Sequence, residues 1–301
     1  MIVNKSNIES LFIGLKTIFN NAFAGAPSTW EKIATLVPST ASQEDYGWLS
    51  AFPRMRKWVG DKVLKNLAAF KYSIVNDDWE ATIEVDRNDI EDDRLGIYNV
   101  QAKGAGMSAK QLPDEIVGDL PNNAFTSLCY DGQYFCDTDH PVAGASVSNK
   151  GTAALSAATQ AAAIASLGAA RTAMRKFKDD DGRPLGVRPN VLLVPPALED
   201  IARVLAMNEN LEDGKPNPYK GTVEVVVGDW LTSDTAWFLL DTTKPIKPFL
   251  YQERKKPEFV QQTDTSSDNV FMRKKYRFGA EARAAGGYGL WQLCYGSTGA
   301  G

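Results

Sequence analysis

Two short strands and a long helix are predicted by the spacing of apolar residues between positions 71 and 120. The apolar members of a period-two pattern are Tyr72, Ile74, Trp79, Ala81, Ile83 and Val85. This alternation is typical of half-buried strands, and Asn76-Asp77-Asp78 between them has the composition of a turn. We therefore expect a β-hairpin in this stretch.

A helix is predicted directly after the hairpin. Asn88-Asp89-Ile90-Glu91 offers a capping oxygen and acidic residues for the first turn. Apolar residues then recur every three or four positions: Leu95, Tyr98, Ala102, Ala105, Ala109, Leu112, Ile116 and Leu120. A helix over 89–120 would be roughly 48 Å long. Gly104 and Gly106 weaken it, and Pro113 should kink it.

The remaining elements follow from the same kind of pattern. Residues 1–24 predict an amphipathic helix, whose apolar face consists of Ile8, Leu11, Leu15, Ile18 and Ala22. The run 142–158 is rich in small residues and predicts an exposed loop or linker. Further on, the pattern predicts strands at Val191–Val194, Val223–Val227 and Trp237–Leu240, a helix from Leu198 to Leu205, and a mainly β segment from Phe249 to Cys294. The fold class is α+β.

Large aromatic residues are concentrated between Trp30 and Trp58, where no periodicity is sustained. Three tryptophans fall within this segment, Trp30, Trp48 and Trp58. Such rings need a surface that covers them. Two alternatives stay open: the segment wraps its own domain, or it packs on another subunit.

Composition excludes several classes of function. The 301 residues carry a formal net charge of -4, which gives no basis for nucleic-acid binding through a basic surface. The longest apolar runs are too short to cross a membrane. Cys129, Cys136 and Cys294 lack metal-type spacing and are expected to be free thiols. The start of the chain predicts a cytoplasmic helix, not a signal peptide.

The single histidine limits the possible chemistry. His140 closes the motif Cys136-Asp137-Thr138-Asp139-His140, which contains metal-ligand types, but adjacent residues rarely converge on one ion. We interpret the motif mainly as a structural turn. A metal-dependent hydrolase that uses Asp137, Asp139 and His140 is kept as a minor alternative. Otherwise no catalytic residue, cofactor site or metal site is predicted.

Two other motifs suggest binding only weakly. Asp179-Asp180-Asp181-Gly182 lacks the ligand spacing of a calcium loop and is interpreted as a turn. The basic runs 254–256 and 273–277 could bind polyanions, but a solvated face or salt bridges between subunits is the favoured interpretation.

Seven motifs occur in the order of a known family. They are Thr29-Trp30-Glu31-Lys32-Ile33-Ala34, Trp48-Leu49-Ser50-Ala51-Phe52-Pro53-Arg54-Met55-Arg56, Trp79-Glu80-Ala81-Thr82-Ile83-Glu84-Val85, Ile90-Glu91-Asp92-Asp93, Phe135-Cys136-Asp137-Thr138-Asp139-His140-Pro141, Asp181-Gly182-Arg183-Pro184-Leu185-Gly186-Val187 and Val194-Pro195-Pro196-Ala197-Leu198. In this arrangement the chain resembles the major head subunit of Mu-like phages and prophages, a branch of the tailed-phage major capsid proteins.

The resemblance implies the tailed-phage major capsid fold. Its parts would be an N-terminal arm (1–58), an extended β-hairpin loop (59–88), a peripheral domain with a long spine helix (89–155), an axial domain (156–260), and strands that return to the peripheral domain with the C-terminal end (261–301). It also implies a structural protein, not an enzyme, that self-assembles through hexamers and pentamers into an icosahedral shell. The shell would enclose DNA without sequence-specific binding, form in the host cytoplasm with scaffold and portal proteins, and have no contact with a membrane.

Interface residues are predicted from pattern within this framework. An isolated two-stranded hairpin is only marginally stable, so the extended loop should rest on a neighbouring subunit. We expect Phe70, Tyr72 and Trp79 to contact that neighbour, and Arg54 and Arg56 to form ion pairs across the interface. A cellular nanocompartment shell of the same fold, which would enclose an enzyme, is an alternative function.

Overall fold

A computed structural model describes residues 5–50, 72–92, 94–179, 182–264 and 268–301. The helices are α1 (Lys5–Gly25), α2 (Arg87–Glu91), α3 (Gly96–Asn122), α4 (Gln160–Ala163), α5 (Ala169–Arg175), α6 (Glu199–Met207) and α7 (Asp268–Arg273), with a π-helical turn, Ile164–Gly168, between α4 and α5. The strands are β1 (Ala34–Pro38), β2 (Gln43–Asp45), β3 (Ser73–Val75), β4 (Asp77–Asp86), β5 (His140–Val142), β6 (Ala145–Val147), β7 (Lys150–Gly151), β8 (Val191–Val194), β9 (Glu224–Val227), β10 (Trp237–Leu240), β11 (Phe249–Gln262), β12 (Lys275–Tyr288) and β13 (Cys294–Ser297).

Two larger sheets organise these elements. One has the strand order β1-β11-β12-β4, and the other has the order β7-β13-β10-β8-β9. The chain crosses from the first sheet to the second between Tyr288 and Cys294. The α+β class is confirmed, and so are the elements predicted locally around β8, α6, β9 and β10.

The four-stranded sheet has one apolar face and one charged face. Ile83, Val85, Phe259 and Phe278 are buried in a core that they share with α1 and α3. On the other face, charged side chains from neighbouring strands form ion pairs: Glu84 with Lys275 and Arg277, Lys255 with Glu281, and Arg283 with Asp78. Alternating side chains along a strand point to opposite faces, so this division follows from the period-two pattern. Three residues of the basic runs therefore pair within their own sheet.

Helix α1 packs closely against α3 at a glycine, Gly106. The apolar face of α1 is formed by Ile8, Leu11, Leu15 and Phe19. A Cβ atom built on Gly106 of α3 would clash with the carbonyl oxygen of Phe19, whereas one built on Gly104 would meet nothing within 4 Å. Gly106 therefore allows the two helices to approach closely, which outweighs its poor helix propensity.

The long helix begins later than predicted. The side chain of Asp86 caps α2 by accepting a hydrogen bond from the backbone N–H of Asn88, with an oxygen–nitrogen distance of 2.8 Å. α2 ends at Glu91, and α3 starts only at Gly96, after which it continues through Pro113. The prediction of one helix from Asp89 is therefore wrong in its first turn and right from Gly96 onward.

The predicted hairpin is wrong in its pairing. β3 pairs with β2, while β4 pairs along its whole length with β12. Asn76, interpreted as a turn residue, is buried; its side chain donates to Ser39 Oγ at 2.9 Å and accepts from Gln252 Nε2 at 2.8 Å. Ser39 and Gln252 lie far from Asn76 in the sequence, so a local pattern cannot reveal these contacts.

The first part of the aromatic segment packs on its own domain. Trp30, Ile33, Tyr46 and Leu49 are buried in the core of their own chain, which favours the first alternative for this part of the aromatic segment. Trp58 and Phe52 lie outside the described residues.

The run 142–158 was expected to be exposed, but it contains strands β6 and β7 and the fully buried Asn149. Small residues permit this close packing, because a Cβ atom on Gly151 would clash with the hydroxyl group of Tyr295.

The last strands belong to both larger sheets. β11 (Phe249–Gln262) pairs in the sheet that contains β4, and β13 joins the sheet that contains β8. The domain boundaries themselves stay predictions. In the described part of the chain, no helix combines the length and apolar character needed to cross a membrane.

The contact between α1 and α3 can be tested with a pair of glycine substitutions. Gly106→Ala should lower the free energy of unfolding by about 1–3 kcal/mol, because the new methyl group clashes with the backbone of α1. Gly104→Ala, two positions away on the open face, should be neutral or raise it by up to about 1 kcal/mol. Urea unfolding followed by circular dichroism measures both; equal effects would contradict the close approach.

Candidate functional site

The predicted interface residues fall into two groups. Arg54, Arg56 and Phe70 lie outside the described residues, so their roles stay predictions. Tyr72 and Trp79 are described and lie at opposite ends of the short segment that contains β3.

Tyr72 packs against its own chain. Its hydroxyl oxygen accepts a hydrogen bond from the backbone N–H of Tyr288 at 2.7 Å, and its ring centroid is 6.3 Å from that of Tyr46. Burial is the main cause that raises the pKa of Tyr72 well above its ordinary value. Tyr72 thus makes this hydrogen bond and this ring contact inside its own subunit. A contact between Tyr72 and a neighbouring subunit stays a prediction.

Trp79 is half-buried and lies beside an open groove. Its indole Nε1–H donates to the carbonyl oxygen of Ala284 at 3.1 Å. The groove beside it has a volume of about 490 Å³ and runs between β4, α3 and the loop after β9. We call it the α3 groove; it is lined chiefly by Asp77, Trp79, Glu115, Asp119, Leu120 and Trp230.

The histidine motif forms a buried cluster, but not the one that adjacency suggested. His140 is fully buried, and its Nδ1 lies 2.7 Å from Oδ2 of Asp131. Its ring stacks on Trp291, with centroids 3.9 Å apart and an interplanar angle of 10°. Asp139 is exposed, and Asp137 accepts hydrogen bonds from the backbone N–H groups of Tyr134 and Thr138. The convergence that the hydrolase alternative requires is therefore absent from these residues.

Asn149 determines the protonation pattern of the histidine. Its Nδ2 lies 2.8–3.3 Å from the carbonyl oxygens of Phe135, Trp291 and Cys294, which identifies this atom as the amide nitrogen. Its Oδ1 must then accept, and it lies 3.1 Å from His140 Nε2. Nε2 therefore carries a proton.

The second ring nitrogen shares a proton with a carboxylate. Burial alone would raise the pKa of Asp131, but hydrogen bonds from His140 and from the Cys129 thiol outweigh it, so the pKa lies below its ordinary value. A low pKa favours the ionised carboxylate as the partner of His140 Nδ1. The cluster thus contains a buried ion pair of Asp131 with His140, whose ring stacks on the indole of Trp291.

Three side chains of this network are of types that can bind a metal ion. Cys129, Asp131 and His140 offer ligand atoms within 4.8 Å of one another. However, each polar atom already has a partner, since the Cys129 thiol donates to Asp131 Oδ1 at 3.0 Å and His140 faces Oδ2. Burial also raises the pKa of the Cys129 thiol far above its ordinary value, which disfavours the thiolate that a metal needs. The geometry favours the ion pair.

The other two cysteines are buried beside the cluster. Cys136 Sγ and Cys294 Sγ are 3.9 Å apart, and all three cysteines are free. Desolvation raises the pKa of the Cys294 thiol well above its ordinary value. Both thiols therefore behave as small apolar groups in the core.

Sequence reasoning singled out His140 but missed its partners. Asp131 and Asn149 lie nine residues before and after it, and Trp291 is far along the chain. A sequence signal was present for Asp131, because Asp131-Gly132 is a turn composition that brings neighbouring segments together. Nothing local marks Asn149 or Trp291 as its partners.

Comparison with known proteins covers almost the entire chain. The profile of the family described as Mu-like prophage major head subunit gpT matches residues 8–164, 154–231 and 232–300. The chain belongs to this family. The Mu-like prophage FluMu major head subunit of Haemophilus influenzae is 32% identical over 288 residues, which are 96% of this chain and 72% of that protein. The major capsid protein of Escherichia phage Mu is 32% identical over 293 residues, or 97% and 74% of the two chains.

Solved structures agree with membership in the Mu-like head subunit family. A chain from the procapsid of bacteriophage JBD30 matches with a TM-score of 0.60 and 32% identity, over 98% of this chain and 76% of that one. A virus-like particle from Pyrococcus furiosus matches with a TM-score of 0.56 over 95% of this chain and 98% of that one, but at 10% identity it shows the fold alone. The tailed-phage capsid fold is therefore confirmed.

The ion pair in this head subunit predicts a defined loss of stability in acid. Because the folded-state pKa of Asp131 lies below its unfolded value, its contribution is complete above about pH 5 and is lost as the pH falls through the unfolded value and then the folded-state pKa. Asp131→Asn should remove this part of the pH dependence and lower the free energy of unfolding by about 3–5 kcal/mol at neutral pH.

A matched control lies in the same loop. Asp139→Asn removes an exposed carboxylate that lacks the buried partners, so it should change stability by less than about 0.5 kcal/mol. Urea unfolding between pH 3 and pH 8 measures all three proteins. Parallel pH profiles for Asp131→Asn and the wild-type chain would contradict the ion pair.

Proposed function

We propose that the chain self-assembles through hexamers and pentamers into an icosahedral shell that encloses phage DNA. The observation that carries this proposal is the family match from residue 8 to residue 300, together with relatives described as a major head subunit and a major capsid protein. The fold of a procapsid chain from bacteriophage JBD30 supports the same role. The site of action would be the virion capsid, after assembly in the host cytoplasm with scaffold and portal proteins.

The charge of the subunit suits a container. A net charge of -4 provides little attraction for the DNA phosphates, so packaged DNA would be enclosed without sequence-specific binding. The work of the shell is then mechanical, and many subunit contacts of modest strength would share the load. The buried ion pair and the free thiols serve the subunit core in this proposal, and no residue acts as a catalyst.

An extended loop is the natural origin of one such contact. β2 and β3 pair, and the backbone N–H of Tyr46 donates to the carbonyl oxygen of Tyr72 at 2.7 Å. The chain between these residues therefore leaves and returns at one place. The predicted extended loop (59–88) begins within this stretch, and we propose that Arg54 and Arg56, at the end of the predicted arm, and Phe70, within the loop, contact a neighbouring subunit.

A nanocompartment shell is the second candidate of this fold. The virus-like particle from Pyrococcus furiosus supports this candidate, because the structure of that particle matches over most of the chain. At 10% identity that likeness carries only the fold, whereas the relatives at 32% identity are described as phage or prophage head components. The phage role is therefore the better supported of the two.

Assembly is tested directly on the purified 301-residue chain. We expect shells, tubes, or rings of five or six subunits in electron micrographs, and a shift to larger species on a sizing column as concentration rises. The physical reason is that many weak contacts become saturated together only above a threshold concentration. A folded monomer that persists at every concentration would contradict the proposed function.

Trp79 provides a residue-level test of the interface prediction. Trp79→Ala should raise the concentration needed for assembly by at least about tenfold, because aromatic anchors at interfaces commonly contribute 2 kcal/mol or more. Tyr134→Ala is a matched control, since Tyr134 is an aromatic residue with an exposed fraction of 42% that does not line the α3 groove. Circular dichroism confirms folding; unchanged assembly of Trp79→Ala would remove this residue from the interface.

A further inference from the structure

We propose that the two opposite ends of the five-stranded sheet, β7-β13-β10-β8-β9, bind each other between two copies of the chain. We call them the cationic end, which carries Arg171, Arg175, Arg188 and Lys244, and the acidic end, which carries Asp119, Asp229 and Asp234. The inference rests on the proposed function, because it needs subunits that associate. It adds the two surfaces of one subunit contact, their chemistry and their head-to-tail arrangement.

The cationic end lies where β8 and β9 begin and β10 ends. Arg171 Nη1 is 3.4 Å from the carbonyl oxygens of Pro189 and Thr222, which lie just before β8 and β9. Lys244 follows β10, and its Nζ donates to the carbonyl oxygen of Gly186 at 3.1 Å. Arg188 is exposed on the short loop between these two contacts. The fold therefore gathers basic side chains from three separate segments.

No carboxylate neutralises these cations. In the part of the chain that the structure describes, none of the four side chains takes part in an ion pair. Glu224 begins β9, but its carboxylate pairs with Lys32 at 2.7 Å. Asp241 follows β10, but it is buried and accepts a hydrogen bond from the backbone N–H of Arg188 at 2.7 Å. The positive charge at this end is thus available to a partner.

Two of the cations also repel each other. Arg171 and Arg175 are four positions apart on α5, and like charges with this spacing destabilise a helix. Burial, followed by the charge of Arg175, lowers the pKa of Arg171 below its ordinary value. The contacts of Arg171 with carbonyl oxygens at 3.4 Å are longer than the usual range for such hydrogen bonds. A carboxylate supplied by a partner would offset this repulsion.

The acidic end lies where β8 and β9 end and β10 begins. Asp229 follows β9, Asp234 precedes β10, and Asp119 lies near the end of α3; all three are exposed. Among the described residues, none of these carboxylates lies in an ion pair. Trp230, next to Asp229, has an exposed fraction of 43%. This end therefore presents carboxylates and an aromatic ring to solvent.

The loop that carries Trp230 is held firmly against α3. A Cβ atom on Gly118 would clash with the Trp230 side chain, so the tryptophan lies directly against the backbone of the helix. Asn122 accepts a hydrogen bond from the backbone N–H of Thr232 at 2.9 Å and donates to the carbonyl oxygen of Trp230, also at 2.9 Å. These contacts join the loop to the turn of α3 that carries Asp119. The acidic end is therefore preformed, which lowers the entropy cost of binding.

The two ends are complementary in chemistry as well as in sign. The cationic end is mostly arginine, and a guanidinium group binds carboxylates through paired hydrogen bonds and stacks on aromatic rings. The acidic end offers both kinds of acceptor, in its carboxylates and in Trp230. A nucleic acid would neutralise the cations, but the acids would repel it. A second copy of the chain satisfies both ends at once.

The position of the two ends favours a contact between copies. β8 has four residues, so its ends are separated by roughly 13 Å, whereas an ion pair needs about 4 Å. A contact between two different surfaces is heterologous, and a series of such contacts closes into a ring when the rotation between copies allows it. Each copy then uses its cationic end on one side and its acidic end on the other, as the proposed hexamers and pentamers require.

Charge reversal at each end tests the contact in the 301-residue chain. The acidic-end variant Asp229→Lys/Asp234→Lys and the cationic-end variant Arg175→Glu/Arg188→Glu should each lower the yield of assembled particles at least about tenfold, because like charges would then face each other across the contact. A sizing column and electron microscopy measure the yield. The uncharged variant Arg175→Gln/Arg188→Gln should show a weaker defect.

Matched controls of each sign lie outside both ends. Glu9→Lys/Asp139→Lys reverses two exposed acids, and Lys5→Glu/Lys103→Glu reverses two exposed lysines. Both controls change the net charge by the same amount as the test variants and should assemble at the wild-type yield. A loss of assembly in the controls equal to that in the test variants would show an effect of net charge alone and would overturn the inference.

A charge swap identifies the partner. A single chain with all four reversals carries two reversed ends that complement each other again, so it should recover at least half of the wild-type yield. An equimolar mixture of the two defective variants should also associate, because each intact end finds its complement on the other variant. Every contact in the mixture then joins unlike variants, so its rings contain an even number of subunits, six and not five. Recovery in either experiment also shows that the variants are folded.

Four other results would overturn the inference. Normal assembly of either defective variant would exclude that end from the contact, and failure of the swapped chain to recover would show that the two ends do not bind each other. Recovery of the swapped chain but not of the mixture would place the contact within one chain. Loss of duplex DNA binding in a gel-shift assay, with unchanged assembly of the cationic-end variant, would identify nucleic acid as the partner.

Failure of the proposed function gives a different result. If the wild-type chain never assembles at any concentration, the proposed function and the contact fail together. If the wild-type chain assembles and the variants assemble equally well, the contact alone fails, and the proposed function stands.

Discussion

One buried amide, the side chain of Asn149, ties together the loop after α3 and the turn between β12 and β13. Asn149 has a side chain that joins the carbonyl oxygens of Phe135, Trp291 and Cys294 to the ring of His140. These partners come from the loop after α3 and from the turn at which the chain passes between the sheets. Because each buried polar atom needs its partner, the loss of one member leaves others unsatisfied. The position of the loop after α3 against the start of β13 is therefore fixed by hydrogen bonds that have few alternatives.

Elements with strong local periodicity could be predicted from the sequence, whereas their pairings could not. The apolar stripe of α3 predicts a helix with one buried face, and the continuous apolar run of β8 predicts a strand in the core. Neither prediction requires knowledge of which element packs against it. The turn predicted at Asn76 failed for the opposite reason. Its side chain satisfies Ser39 and Gln252, which are remote in sequence, and this tertiary network overrides the local turn propensity.

The same distinction applies to the candidate site. His140 stood out because it is the only histidine, but its role depends on Asp131, Asn149 and Trp291, which the fold brings together. The groove was likewise beyond prediction, since β4, α3 and the loop around Trp230 supply its walls separately.

The long β11–β12 ribbon has an uneven register with a mechanical consequence. Between Glu253 and Glu258, β11 contains extra residues relative to β12, and Pro257 falls within this irregular stretch. Such bulges bend a strand and increase its twist, and a proline there removes no ladder hydrogen bond. The ribbon thus has a built-in elbow near its middle. The pairing on either side stays regular, so the ribbon consists of two straight ladders joined at a bend.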